Sequence, residues 1–182
     1  MKYTYNIKIR NTSMEQPVVI VSADPDLEIV SEWDSIREEI LRIERVCYEE
    51  SLRYSEDEFL EDLRDNGAQF LVLRAGGCIE AFISAAPLHR LDYCAFDQHS
   101  VMKDTLYIVS IAVAPAYRNR GYASTMLSQL MTVSRYSRFS AHAIGPASRS
   151  MFLSSGFRED ENFPGWMGGH DAVYMVRDRI EV

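Results

Sequence analysis

The sequence predicts a single α/β domain built on a mixed sheet, and three observations lead there. At 182 residues the chain fits one compact domain, on a prior of ~150 residues per domain. Its 47% hydrophobic, 25% charged and 11% aromatic content is that of a globular chain with a core, not of a disordered, collagenous or membrane-spanning one. Strand-like and helix-like periods also alternate in order: strands and two helices, a hairpin, then strand, helix, strand, helix and strand. That order layers helices on a sheet. The domain is expected to run from 1 to 182, with 1–17 as an N-terminal extension or added strand.

Tyr3, Tyr5, Ile7 and Ile9 alternate with polar residues as in a half-buried strand, and Val18 to Val21 reads as a short buried one. Ile36, Ile40, Ile43 and Cys47 recur at helical spacing among charges, predicting an amphipathic helix over about 34–50. Ser55 and Glu58 form a capping-box pair ahead of Phe59, Leu60 and Leu63, the start of a second helix. Gln69 to Arg74 and Cys78 to Ala85 flank Ala75-Gly76-Gly77, whose glycines supply the positive φ of a tight hairpin turn. Leu106 to Ala114 is a long apolar strand. After Pro115, Ala123, Met126, Leu127, Leu130 and Met131 share one helix face. Arg138 to Ile144 is a strand, Ala147 to Ser155 a short helix stopped by Gly156, and Ala172 to Arg177 a closing strand. The long connection from Pro87 to Asp104 carries Tyr93, Phe96, Asp97 and His99, and long loops are often functional.

Nineteen basic and 27 acidic residues give a formal charge of −8, which repels phosphate backbones and anionic lipid, so neither a nucleic-acid nor a membrane partner is expected. The same charge suits a cationic amine. Cys47, Cys78 and Cys94 form no CxxC pair and leave an odd count, which fits a reducing cytoplasm. No signal-like start and no apolar run of ~18 residues is present in the sequence. His89, His99, His142 and His170 have no metal-ligand spacing, so no metal is expected.

The stretch with chemistry in it is Arg118-Asn119-Arg120-Gly121-Tyr122-Ala123, between the long apolar strand and the amphipathic helix. Free backbone N–H groups converge at a helix start, the dipole there favours negative charge, and small residues let a pyrophosphate approach. Arg118 and Arg120 add positive charge.

In its R-x-x-G-x-A loop, preceded by Ser110-Ile111-Ala112-Val113-Ala114-Pro115 and followed by Phe152-Leu153-Ser154-Ser155-Gly156-Phe157, the chain resembles the GNAT acetyltransferase superfamily. The likeness extends over residues 18 to 178 in order and period. Ile43-Glu44-Arg45 with Leu52-Arg53-Tyr54-Ser55, Leu106-Tyr107-Ile108, and Gly169 to Met175 are most similar to the branch that acetylates protein N-termini and ribosomal proteins. The resemblance implies a mostly antiparallel mixed sheet of about seven strands flanked by helices, with splayed central strands forming an acyl-CoA cleft. It implies acetyl-CoA as cosubstrate, held by Ile111, Ala112, Val113, Arg118, Asn119, Arg120, Gly121, Tyr122, Ala123, Ser148 and Phe152.

Transfer of an acetyl group from a thioester to an amine needs a neutral amine and a polarised carbonyl, and positioning supplies much of the rate. An α-amine costs about 1 kcal/mol to deprotonate at neutral pH and a lysine amine roughly 4 to 5. By the resemblance, Tyr107 and His142 are the catalytic pair, relaying the proton through water. His142 stands two residues beyond the family's histidine, and Asp104 and Glu80 are second choices. Phe152 replaces the tyrosine that protonates the departing thiolate in most family members, and Gly145 replaces an asparagine. A positioned acid contributes ~10²- to 10⁴-fold, so slow turnover is expected rather than none. The expected activity is acetylation of a primary amine on a protein or peptide. The alternatives are a small-molecule amine acetyltransferase or a catalytically weak acyl-CoA-binding sensor. A monomer or homodimer is expected in either case.

Overall fold

A computed structural model describes residues 27–29, 33–63, 68–88 and 104–179. They build one seven-stranded sheet in the order β1-β2-β3-β4-β5-β7-β6. The strands are β1 (Leu27–Ile29), β2 (Gln69–Ala75), β3 (Cys78–Pro87), β4 (Thr105–Val113), β5 (Arg138–Ile144), β6 (Arg158–Met167) and β7 (His170–Asp178). The helices are α1 (Arg37–Cys47), α2 (Glu56–Leu63), α3 (Tyr122–Val133) and α4 (Gly145–Ser154). Neighbouring strands are antiparallel except β4 and β5, which run parallel. The strands read over 3–9 and 18–21, and the residues Tyr93, Phe96, Asp97 and His99, lie outside the described residues.

Local chemistry accounts for the elements that the sequence announces. Ser55 N–H donates to the Glu58 carboxylate at 2.7 Å and Glu58 N–H to Ser55 Oγ at 3.3 Å, the reciprocal capping box that starts α2. Gly76 and Gly77 turn the β2–β3 hairpin at φ of 62° and 87°. The helix predicted over 34–50 is shorter, α1 flanked by single 3-10 turns at Trp33–Ser35 and Glu50–Leu52. At the end of α4, Phe157 N–H reaches Phe152 O and Gly156 N–H reaches Leu153 O, closing the helix around a left-handed Gly156.

β6 is the strand that the periodicity does not announce. Arg158-Glu159-Asp160-Glu161-Asn162-Phe163-Pro164-Gly165 is polar and carries a proline and a glycine. It pairs on one side only, with β7, through two register shifts. An edge strand tolerates proline and needs no apolar face. Arg149 of α4 holds it with a bidentate pair to Glu159 at 2.6 and 2.7 Å.

Apolar side chains divide between the two faces of the sheet. On one, Met126, Leu127 and Leu130 of α3 and Phe152 of α4 pack over Leu71, Leu73, Ile83, Leu106, Ile108, Phe139 and Met175. On the other, α1 and α2 cover Phe70, Val72, Phe82 and Ala112 with Ile36, Ile40, Ile43 and Phe59, joined by Trp33. Glu39 of α1 accepts from Ile79 N–H at 2.6 Å, which docks that helix against the start of β3.

Candidate active site

The site is built on an irregularity of β4. Opposite β3, Ile108 pairs with Ala85 and Ser110 with Ser84, so β4 carries one extra residue, Val109. Such a bulge reverses the facing of every later side chain. Before it, Leu106 and Ile108 belong to the α3–α4 core and Tyr107 to the other face. After it, Ile111 and Val113 pack toward α3 and α4, while Ser110 and Ala112 turn to α1. Pairing with β5 covers only Thr105 to Tyr107 against Arg138 to Ser140, although β5 continues to Ile144 beside β7. From Ile108 to Val113 the two central strands separate, and an opening lies between them.

Backbone alternation decides which groups line it. Ala114 N–H donates to Glu80 O at 2.8 Å, so in this regular stretch the polar groups of Ala112 and Ala114 face β3 and those of Ile111 and Val113 face the opening. Of the expected cosubstrate residues, Ala112 has its N–H and C=O in the β3 ladder and its side chain buried toward α1. Carbonyls on the open edge are already occupied. Ile111 O accepts from Tyr48 Oη at 2.6 Å, and Val113 O accepts from Cys47 Sγ at 3.3 Å and Arg118 Nε at 3.1 Å. What the edge presents is the N–H of Ile111 and of Val113.

At the end of β4 the chain passes through a 3-10 turn, Pro115–Tyr117, into Arg118 and the start of α3. Asn119 and Gly121 are left-handed, at φ of 61° and 81°, and Gly121 is the N-cap. The first intrahelical bond is Thr125 N–H to Gly121 O at 2.9 Å, which leaves the N–H groups of Tyr122, Ala123 and Ser124 without an acceptor in the helix. A Cβ on Gly121 would meet nothing within 4 Å, so the glycine is demanded by its φ and the space beside it is open. The Arg120 guanidinium lies 5.0 Å from the centre of the Tyr117 ring and bonds Ala116 O at 3.2 Å. Neither Arg118 nor Arg120 meets a carboxylate among the described residues. Uncommitted N–H groups, two guanidinium ions and open space fit a diphosphate, while the apolar edge of β4 with its N–H donors fits an amide-bearing arm and a thioester.

Tyr107 and His142 meet at the base of the opening, Tyr107 Oη lying 3.0 Å from His142 Nδ1. Tyr107 pairs with Ser140, so His142 is its diagonal neighbour two residues further along β5, within reach of an aromatic side chain. Trp166 stacks on the imidazole at 3.7 Å between centroids and 11° between planes, with Phe163 at 4.8 Å and Tyr174 at 5.0 Å. Three strands thus fix one ring.

Two other expected positions are more confined. Ser148 Oγ donates back to Ile144 O at 2.7 Å, and Phe152 is 2% exposed in the main core with Phe157 at 5.0 Å. Glu80 lies 3.6 Å from Arg42.

The sequence reading did not assign a role to a second polar group, on the α1 side of the bulge. Glu44, 1% exposed, accepts from Ser110 Oγ at 2.8 Å and from Tyr54 N–H at 3.4 Å. Burial raises its carboxyl to about 7, against the hydrogen bonds of Ser110 and Tyr54 and the charge of Arg53. Burial and the nearby Glu44 also push the Tyr48 phenol up. A signal existed: Glu44 lies four residues after Ile40 and three before Cys47, inside the apolar stripe of α1. The connector after α1 touches the β6–β7 turn, where Glu49 and His170 form a hydrogen-bonded pair and Ser51 lies against Gly168. Among the described residues no cluster of His, Cys, Asp and Glu is placed to hold a metal ion, and no helix is long and apolar enough to cross a membrane.

The chain is thus a mixed α/β sheet whose parallel central strands part beside a helix-start anion loop. Residues 33–157 match the Acetyltransferase (GNAT) family, and the chain belongs to it. Among solved structures, it is similar to a ribosomal-protein-alanine N-acetyltransferase from Brucella melitensis, at 18% identity over 84% of this chain and 99% of that one, with a TM-score of 0.63. NAA60 of Arabidopsis thaliana, in complex with a bisubstrate analogue, is 16% identical over 84% and 97%, with a TM-score of 0.65. The Salmonella typhimurium yncA structure, with its cofactor acetyl-CoA, is 18% identical over 86% and 94%, with a TM-score of 0.63. At these identities the likeness establishes the fold. No curated protein sequence matches the chain.

Proposed function

We propose that this protein is an acetyl-CoA-dependent N-acetyltransferase acting on a primary amine of a protein or peptide, by direct attack in a ternary complex. The observation that carries the reading is the opening between β4 and β5, which runs from the Tyr107–His142 pair to the helix-start loop of α3. The N–H groups of Tyr122 and Ala123, with Arg118, Asn119, Arg120 and Gly121, hold the diphosphate. The N–H groups of Ile111 and Val113 take the pantetheine amide and the thioester oxygen, stabilising the charge that develops there. Acetyl-CoA supplies an activated acyl group and a thiolate leaving group. Ser148 and Phe152 of α4 wall the thiol end, and Phe152 brings no hydroxyl to it.

Tyr107 and His142 serve as the proton acceptor for the amine. A phenol bonded to an imidazole passes a proton at neutral pH more readily than a phenol alone, because the imidazole titrates near ~6.5 and the phenol near ~10. The peptide or protein acceptor is favoured by the likeness to structures of ribosomal-protein and other N-acetyltransferases and by an α-amine's low deprotonation cost.

Calorimetry with acetyl-CoA, together with CoA-thiol release in the presence of pooled peptides and pooled small amines, tests the reading. Binding with release on peptides supports it. Release on small amines alone moves the acceptor class, and binding without release from either pool favours a sensor, as the absent hydroxyl at Phe152 would suggest. Absence of binding overturns the acetyl-CoA site.

A further inference from the structure

We infer that Trp166 is a positioning residue for the His142 imidazole, carried over it by a bulge of β6 that Asp171 holds in shape. This rests on the transferase reading above. Indole and imidazole lie face to face, 3.7 Å apart between centroids and 11° from parallel, whereas Phe163 meets the same imidazole edge-on at 81° and Tyr174 at a 40° tilt. Tyr174 is the regular partner of His142 across β5 and β7, a contact that any paired strands make. Trp166 arrives by an irregularity. Between the Phe163–Ala172 and Met167–His170 pairs, β6 spends three residues, Pro164 to Trp166, where β7 spends only Asp171.

The bulge is tied at its centre. Asp171 Oδ1 accepts from Gly165 N–H at 2.9 Å, Gly165 takes the left-handed φ of 65° that the bend requires, and Pro164 has no N–H to leave unpaired. The turn beyond it is tied to the connector after α1, through the Glu49–His170 pair and the seat of Gly168 against Ser51. Trp166 itself is half-buried near the end of an edge strand, over a cluster whose buried members are Leu88, Tyr107, Tyr174 and Val176.

The contact of Tyr107 Oη with His142 Nδ1 at 3.0 Å depends on the orientation of the imidazole. Rotation about the Cβ–Cγ bond swings Nδ1 off the hydroxyl, and a terminal torsion of this kind is soft. A flat indole against the ring face blocks that tilt. In the transfer, the lone pair of the neutral amine forms the N–C bond to the thioester carbonyl carbon, the amine proton passes to Tyr107 Oη and the Tyr107 proton to His142 Nδ1. The C–S bond breaks with its electron pair on sulfur, and the imidazolium returns the proton to the thiolate through water. The hydroxyl ends as it began. The imidazolium formed on the way lies on the indole face, well inside the ~6 Å of a cation–π contact, so Trp166 favours the charged ring over the neutral one.

The test measures kcat with the best amine from the pools, and acetyl-CoA affinity alongside, for wild type, Trp166→Leu, Trp166→Phe, Asp171→Ala and Asp171→Asn, and repeats Trp166→Leu in a His142→Leu background. Trp166→Leu should lower kcat ~10- to 10²-fold, the cost of a small misplacement at a reacting centre, with acetyl-CoA affinity unchanged. Trp166→Phe keeps a flat face and should recover most of that loss. In the His142→Leu background Trp166→Leu should cost nothing further, since no imidazole remains to be aimed. Asp171→Ala should lower kcat roughly 2- to 10-fold, the worth of one hydrogen bond, and Asp171→Asn, whose amide oxygen still accepts from Gly165 N–H, should restore it. A wild-type kcat in Trp166→Leu, a loss that Trp166→Phe does not recover, or the same loss with and without the imidazole overturns this inference alone. Asp171→Asn as slow as Asp171→Ala overturns the part given to the bulge. Should Trp166→Leu not fold, the two substitutions at exposed Asp171 still read the aim of the ring. A wild-type protein that releases no CoA thiol from any amine overturns the transferase reading, and this inference with it.

Discussion

β4 behaves as two different strands on either side of Val109. Among its first residues, Leu106 and Tyr107 are paired on both edges, with β3 and with β5, and Leu106 and Phe139 pack as fully buried neighbours. Its last residues, Ile111 to Val113, are paired with β3 only, and Ile111 and Val113 carry half-buried side chains and side-chain-capped carbonyls on the other edge. The closed half contributes stability, and the open half contributes N–H groups aimed at a vacant strand position. One inserted residue separates the roles, because it shifts the facing of the chain without ending its pairing to β3.

The largest expected effect is at the far end of the open half. Gly121→Glu should leave no acetyl-CoA binding measurable by calorimetry, since it places a carboxylate at a left-handed N-cap among diphosphate-binding N–H groups. In the closed half Phe139→Ala should cost ~3 to 5 kcal/mol of stability, measured by urea denaturation, whereas Val113→Ala, only half-buried at the open edge, should cost about 1. Equal losses would mean that the two halves are packed alike.

Glu44 links stability to pH. Its carboxyl is raised from 4.5 to about 7 on folding, so the neutral form is favoured in the native state. The corresponding stability is fully present below the unfolded value and is lost as pH rises through about 7. Between acid and mildly alkaline pH, wild type should lose up to ~3 kcal/mol relative to Glu44→Gln, read from paired denaturation curves. A constant difference would contradict the buried carboxyl.

Tyr107→Phe removes the hydroxyl that meets His142 at 3.0 Å and should lower kcat by ~10- to 10²-fold with acetyl-CoA affinity unchanged. The smallest expected change is a gain. Phe152→Tyr should raise turnover severalfold if protonation of the thiolate limits the rate, and a stability loss without a gain would follow if the hydroxyl stays buried against Phe157.

Features set by neighbouring residues were legible. The Ser55–Glu58 box, the Gly76-Gly77 turn, the Gly156 stop and the Arg118 to Ala123 loop each depend on a few consecutive residues, and each stands where the sequence puts it. The Tyr107–His142 contact was readable as a pair of side chains on adjacent strands, but its diagonal geometry was not, because it depends on where β4 and β5 stop pairing. The bulge left no trace, since Leu106 to Val113 is apolar on nearly every position and shows no alternation to interrupt. β6 was hidden for the opposite reason, an edge strand with no apolar face to reveal it.

The sequence by itself determined the order of the helices and most strands, the anion-type loop at the start of α3 and the absence of a tyrosine at position 152, because these are properties of composition, period and turn chemistry. Only the tertiary structure decided that β4 parts from β5 after Tyr107 and that α1 caps the open edge with Tyr48 and Cys47. It also decided that Glu44 is buried against Ser110. Each joins residues 63 to 66 positions apart on the α1 side, or neighbouring strands on the other. Contacts at such separations follow from how helices and strands pack, which local residue preferences do not encode.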